Sequence, residues 1–334
     1  MASNAYSSSN SLLLPSKEVP LPKGASSEQR EAIRQFPSMS ISEANASVPI
    51  TAEQWRDYAQ TTNARQKKKV KQMRKRLGVT VEQSKINGVT VRFITPKRLS
   101  EHFKDCVYID VHGGAYVFFA GLPSIEEGML IAHRLGIRVI SVDYRMPPKH
   151  PFPAALNDVA TVYKAQLCDI GAEHIYLGGT SAGAGLVLSL MQLLKRAGTA
   201  LPAAIYTGTP WADLTKTGDT LFTNEGIDRV LVSYDATLAA AASLYADKEP
   251  LTNPLISPLY GDFEGLPPTL LVSGTRDMFL SDTVRVNRKL RDAGVVTQLE
   301  VFEGASHADY LIAYETPESF AVYRELEQFF IHYR

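Results

Sequence analysis

The stretch IYLGGTSAGAGLVLSLMQLLKR, residues 175–196, decides how the rest of the chain is read. A short apolar run with strand character ends in small residues, and an apolar segment without proline starts at once. At the junction stands Gly179-Thr180-Ser181-Ala182-Gly183, a G-x-S-x-G pattern in the strand–turn–helix setting that gives it chemical meaning. Small residues suit a strained turn with strand and helix packed closely behind it. Such a turn pushes the Ser181 hydroxyl above the sheet, beside the N–H groups and positive end of the following helix. A phosphate cradle of the P-loop kind fails, because no Lys-Ser/Thr follows Gly183, and the spacing is not G-x-G-x-x-G. Tight packing alone is the competing reading of an isolated G-x-S-x-G, so the flanking chain has to decide.

Working outward, short apolar runs alternate with helical stretches. The strand candidates are CVYIDV (106–111), IRVISVDY (137–144), IYLGG (175–179), AAIYTG (203–208), TLLVSG (269–274) and TQLEVF (297–302). Helical spans lie near 122–135, 153–167, 182–197, 281–293 and 316–332. Near-continuous apolar strands separated by helices predict an α/β fold with a mostly parallel sheet covered on both faces. VTVEQSKI and VTVRFITP flank Asn87-Gly88, which predicts an antiparallel hairpin. Residues 211–266 are too long for a plain crossover and read as an insertion. Before the hairpin, Ser26 with Gln29 and Thr51 with Gln54 have capping-box spacing, which predicts a short helix over 26–36 and a long one over 51–78. The Ser/Asn-rich start, to about Ser11, is expected to be flexible.

Composition narrows the function classes. The 334 residues carry 35 basic and 35 acidic side chains, so no net charge favours nucleic acid or anionic lipid. The dense basic run from Arg65 to Arg76 reads as a solvated helix face, since no aromatic residues interleave it. Cys106 and Cys168 sit in apolar segments outside any CxxC pair and read as two core thiols. The first twenty residues hold only a three-leucine patch, and no apolar run approaches the length of a membrane span. The expectation is a cytoplasmic protein.

The strand end VYIDVHGGAYVF (107–118) supplies a second element of acyl-transfer chemistry. His112-Gly113-Gly114-Ala115 is an HGGG-type signature with alanine in fourth place. Acyl transfer needs N–H donors aimed at a developing oxyanion. The expected donors are the amides of Gly113, Gly114 and Ala182, with His112 holding the loop. An acid should then follow a late strand, and a base should follow one more helix and strand. Asp277 and Asp282 are the acid candidates. Asp277 stands at the usual loop distance, while Asp282 reads as a cap of the next helix. His307, in VFEGASHADY (301–310), is the one histidine in the right loop; His102, His133, His150, His174 and His332 lack that setting. The predicted triad is Ser181, Asp277 and His307. Tyr116, Phe118, Phe119 and Trp211 are candidates to line a substrate pocket, with core packing the equal alternative.

HGGAY, YRMPPKHPFPAALND (144–158), GTSAG, TPWADLT (209–215), NPLISPL (253–259) and GLPPTLLVSGTRD (265–277) together resemble the hormone-sensitive-lipase-like esterases of the GTSAG type. The resemblance runs from about residue 88 to the end. It implies an α/β-hydrolase fold, with an eight-stranded sheet and a helical cap. Residues 1–78 and the 211–266 insertion would form the cap, and 79–334 the catalytic domain. It further implies hydrolysis of short- to medium-chain acyl esters without a cofactor, and a homodimer in many members. No metal is expected, since no cluster has ligand spacing. Ala115 replaces a third glycine, Lys149 stands where the family usually has Glu, and Met278 where Pro usually follows the acid. An amidase or transacylase on the same triad, or a non-catalytic small-ligand receptor, are the rival readings. The second conflicts with the presence of His307.

Overall fold

A computed structural model describes residues 18–36 and 38–334. The start expected to be flexible, and the three-leucine patch, lie outside the described residues. Eight strands form one sheet in the order β1-β2-β4-β3-β5-β6-β7-β8. They are β1 Thr80–Ile86, β2 Val89–Thr95, β3 Val107–Val111, β4 Arg138–Val142, β5 Ile175–Thr180, β6 Ala204–Gly208, β7 Thr269–Gly274 and β8 Thr297–Phe302. The first two are the hairpin, closed by Asn87 and Gly88, both at positive φ (47° and 87°). That is the backbone an Asn-Gly turn supplies. β2 joins β4 antiparallel, and every later pair is parallel.

Alternation along the strands builds two cores. Val107, Ile109 and Val111 face one side of the sheet with Ile175, Leu177 and Leu271. Tyr108, Tyr176, Leu270 and Val272 face the other. The first side is covered by α5 (Ala154–Ile170), α6 (Ala182–Arg196) and α9 (Leu280–Asp292). The second is covered by α4 (Glu126–Leu135) and the C-terminal helix (Pro317–His332), with α3 (Ala52–Leu77) adding Val70, Met73 and Leu77. Each fully buried large aliphatic contributes roughly 1.5–3 kcal/mol, so both layers hold the sheet strongly. The ends of β3, β5, β7 and β8 are thereby fixed, and the segments that follow them hold Gly113, Ser181, Asp277 and His307.

The N-terminal helices pack on separate parts of this body. Ser26 caps α1 (Ser27–Gln35) through the Gln29 amide. The Gln29 side chain does not return the bond; it donates to Asp309 at 3.1 Å. A short helix that sequence spacing did not flag, α2 (Ile41–Ala46), carries a full Ser40–Glu43 capping box and sets Ala44 against Val232 and Ala236. α3 opens with the expected Thr51–Gln54 box and ends at Gly78 in the left-handed region. Its basic run leaves Lys67, Lys68, Lys71 and Lys75 exposed, while Lys69 pairs with Glu126 and Arg76 with Glu315.

Between β6 and β7 lie α7 (Thr220–Thr223), a kinked turn at Tyr234–Leu238 and α8 (Ala239–Ala246). The two thiols part company. Cys106 is buried, but Cys168 is exposed on α5, whose apolar stripe runs through Leu156, Val159 and Tyr163 instead. Among the described residues no helix is long and apolar enough to cross a membrane.

Candidate active site

The turn after β5 has the strain its sequence implies. Ser181 sits at φ 63° and ψ −124°, outside the regions an L-residue ordinarily occupies. Three backbone bonds hold it there. Its N–H donates to Gly208 at 2.8 Å, and its carbonyl accepts from Gly185 and Trp211, both at 3.1 Å. The residue before it is also tethered, since Thr180 Oγ1 lies 2.7 Å from the Tyr310 hydroxyl and 2.8 Å from Glu127 Oε1. α6 starts at Ala182, so its positive end abuts the Ser181 side chain. Among the described residues the Ser181 hydroxyl has no hydrogen-bond partner. Among the described residues no hydrogen bond joins it to His307.

The loop after β3 lies against this turn. A Cβ on Gly113 would stand 2.7 Å from the Thr180 carbonyl and 3.4 Å from Ser181 Cβ. Gly114, at φ 106°, has no room either, with the Phe118 carbonyl 2.6 Å from its missing Cβ. Glycine is therefore required at both positions. Ala115, in place of the family's third glycine, takes φ 51°, which alanine tolerates at modest cost. His112 stacks on Tyr144 at 4.1 Å, and its Nδ1 bonds the Gly113 carbonyl at 2.7 Å. The Tyr144 hydroxyl donates to the His112 carbonyl at 2.7 Å. Burial pushes the His112 imidazole down to about 4, so at neutral pH it is an uncharged brace of the loop.

Asp277 and His307 meet. His307 Nδ1 lies 3.1 Å from Asp277 Oδ1, and both side chains are buried. The acid is over-determined. Its Oδ1 also accepts the Phe279 amide at 2.9 Å, and its Oδ2 accepts the Ser273 hydroxyl at 2.7 Å. With Nδ1–H committed to the carboxylate, the network assigns Nε2 as the free acceptor. Phe279 stands edge-on to the imidazole at 5.0 Å and stacks on Trp211 at 5.5 Å.

Asp282 plays a different part from the cap that its position predicts. Its Oδ2 accepts the amides of Ala212 and Asp213, both at 2.9 Å, and so pins the segment after β6 to α9. The first turn of a helix points its side chains outward as well as back along the axis, and here a neighbouring strand end takes the carboxylate. Burial pushes Asp282 up to about 8, far from the ionised form a triad acid requires.

The pocket candidates are placed in aromatic packing. Tyr116 stacks on Tyr245 at 3.9 Å, Trp211 lies between Tyr116 and Phe279, and Phe118 meets Trp55 and Tyr58 of α3. Phe119 is half-buried, with its amide bonded to Asn63 Oδ1.

Two buried carboxylates near the site carry no sequence signature. Asp228 belongs to the segment between β6 and β7. Its Oδ2 accepts the amide of Met278 at 2.9 Å and that of His307 at 3.3 Å. A proline at position 278, as in the family pattern, would have no N–H to give. Glu127 on α4 lies beneath the Ser181 turn and accepts from Thr180 and, at 3.1 Å, from the Tyr206 hydroxyl. Burial pushes Glu127 up to about 7. A raised carboxyl pKa stabilises the fold fully below the unfolded value, and that stability is lost as pH rises to the folded one. Glu127→Gln removes the titration. From about pH 5 to about pH 8 the variant should gain on the wild type by about 2–3 kcal/mol. Thermal unfolding at those two pH values measures this, and a pH-independent difference would show that Glu127 does not titrate there.

Residues 108–311 match the profile of the alpha/beta hydrolase fold family. An esterase of Acinetobacter venetianus is 34% identical over 197 residues, which span 58% of this chain and 64% of that protein. An acetyl-hydrolase of Streptomyces hygroscopicus is 32% identical over 66% of this chain and 73% of its own length. The crystal structure of an esterase superposes with a TM-score of 0.95 at 42% identity, covering 97% of this chain and 99% of that one. That of an esterase from the bacterial hormone-sensitive lipase family gives 0.76 at 29% identity, over 92% and 98%. The chain belongs to the alpha/beta hydrolase fold family. Within it, the chain is a member of the hormone-sensitive-lipase-like esterases.

Proposed function

We propose that this esterase hydrolyses carboxylic esters of small acyl groups through an acyl-enzyme on Ser181. The observation that carries the reading is the buried Asp277–His307 bond together with the strained Ser181 turn, the two linked through Trp211 and Phe279. His307 Nε2 takes the Ser181 proton as Oγ attacks the ester carbonyl. The oxyanion rests on the amides of Gly113, Gly114 and Ala182. His307 then gives the proton to the departing alkoxide, which leaves as alcohol. Water, deprotonated by the same imidazole, attacks the acyl-enzyme and releases the acid. Asp277 holds the tautomer and stabilises the imidazolium.

Residues 1–78 and 211–266 form the cap in this reading. Contacts of α3 with Phe118, and of the 211–266 segment with Tyr116 and the acid and base loops, support it. Close aromatic packing of Tyr116, Phe118 and Trp211 favours a small acyl group over a long one, in keeping with the acetyl-hydrolase among the relatives. Acyl chains of about two to eight carbons should be preferred, since longer tails must displace packed side chains. Each fitted methylene should add up to about 0.8 kcal/mol until the pocket is full. The rate should rise with pH as the imidazole loses its proton. A series of acyl esters assayed from about pH 5 to 9 tests both parts. A preference for chains of about sixteen carbons would contradict the pocket argument, and a falling rate the role of His307.

A further inference from the structure

The acid and the base of this site stand on different loops. Asp277 follows β7 and His307 follows β8, both beyond the last paired residues of the two strands, Gly274 with Phe302. Two backbone bonds extend the pairing a little further, from Thr275 to Phe302 and from Arg276 to Ala305, both at 3.0 Å. Neither reaches the acid or the base itself. The group that touches both loops at that point is the Asp228 carboxylate, which comes from a third segment, between β6 and β7.

Asp228 is fully buried and accepts four backbone N–H donors. Oδ2 takes Met278, next to the acid, and the amide of the base His307 itself. Oδ1 takes Val230 and Leu231, at 2.9 and 3.2 Å, which fixes the carboxylate in its own turn. The same segment grips these loops at further points. Asn224 Nδ2 donates to the Asp277 carbonyl at 2.8 Å, and Arg229 forms a buried ion pair with Asp309. We propose that Asp228 is a positioning residue of the active site, a carboxylate that sets the acid loop against the base loop so that Asp277 meets His307. This inference rests on the triad of Ser181, Asp277 and His307.

The chemistry demands an ionised carboxylate. With two N–H donors on each oxygen, both oxygens must accept, and an amide or a carboxylic acid would turn a donor against donors. Burial and the Asp277 charge push Asp228 up to about 6, so it is ionised at neutral pH. The charged groups around it are Asp277, His307 and the Arg229–Asp309 pair. Its negative charge therefore also acts on the imidazolium that forms during turnover.

Asp228→Asn preserves shape and removes both the charge and two acceptor sites. Active sites are counted first with a fluorophosphonate that labels nucleophilic serine. Then kcat and KM per labelled site are measured for a short-chain ester from about pH 5 to 9. The expected result is labelling at Ser181 and a kcat lower on the order of 10²-fold, with little change in KM. The acidic limb of kcat/KM should also move to lower pH, because the imidazolium loses a neighbouring negative charge. If Asp228→Asn does not fold, Asp228→Ser, a smaller side chain that still accepts, serves the same test. A kcat per site within about twofold of wild type would overturn the proposal, as would a loss of kcat with an unmoved acidic limb. If the wild-type enzyme itself is not labelled at Ser181, the triad has failed and not the part given to Asp228.

Discussion

Ser181→Ala should abolish ester turnover while the protein remains folded. The expected loss in kcat is on the order of 10⁶-fold, as for removal of the nucleophile in other serine hydrolases. The structure explains why stability should survive. The turn is held by backbone bonds to Gly208, Gly185 and Trp211, and alanine keeps all three. The hydroxyl itself has no partner among the described residues, so its removal strands no donor or acceptor. Unfolding free energy should change by less than about 0.5 kcal/mol. Turnover of a chromogenic short-chain ester and a thermal melt check both halves. A variant that keeps a tenth of the activity would show that Ser181 is not the nucleophile.

Asp277→Ala should lower kcat by about 10⁴-fold, the scale seen when the acid of such a triad is removed alone. The structure separates this from Asp277→Asn. The hydroxyl of Ser273, which donates to Oδ2, can rotate and accept from an amide instead. Asparagine can therefore keep its oxygen toward His307 and the Phe279 amide. The imidazole keeps its tautomer and loses only the negative charge, so the asparagine variant should be the more active of the two. In Asp277→Asn/Ser273→Ala the advantage should shrink, because the amide then faces no acceptor. Asp282→Asn is the control. It keeps one oxygen for the amides of Ala212 and Asp213, and turnover should stay within about twofold. If the two acids exchanged phenotypes under the same assay, the acid would be Asp282.

The strands, the hairpin and the turn at Ser181 were legible because each is written locally. Strands β3 to β7 are near-continuous apolar runs, β8 alternates Leu299 and Val301 with polar residues, and Asn87-Gly88 and Gly179-to-Gly183 carry backbone demands that few residues meet. Asp277 and His307 were legible from chain order, since each follows a late strand. Asp228 was not, because its meaning lies in two amides that approach from loops 50 and 79 residues away. Glu127 is likewise an ordinary helix residue until β5 and β6 bring Thr180 and Tyr206 over it. Asp282 misled because the first turn of a helix is where a carboxylate caps, and the partner it finds belongs to another strand end. α2 escaped because six residues are too few for helical spacing to stand out, and only its Ser40–Glu43 box marks it.

The order of the strands in the sheet sets the order in which the enzyme becomes dangerous to its surroundings. The backbone bonds at Ser181 all come from chain made before residue 212, since β5 lies between β3 and β6 and the Ser181 carbonyl is held by Gly185 and Trp211, while the Tyr310 hydroxyl reaches Thr180 only later. The acid and the base arrive with β7 and β8, at the far edge, and the Asp228 bond closes only when His307 is in place. A ribosome releasing this chain thus supplies the backbone partners of Ser181 well before the base that would activate it. A product truncated before β8 would hold the serine without His307, and so without a group to take its proton.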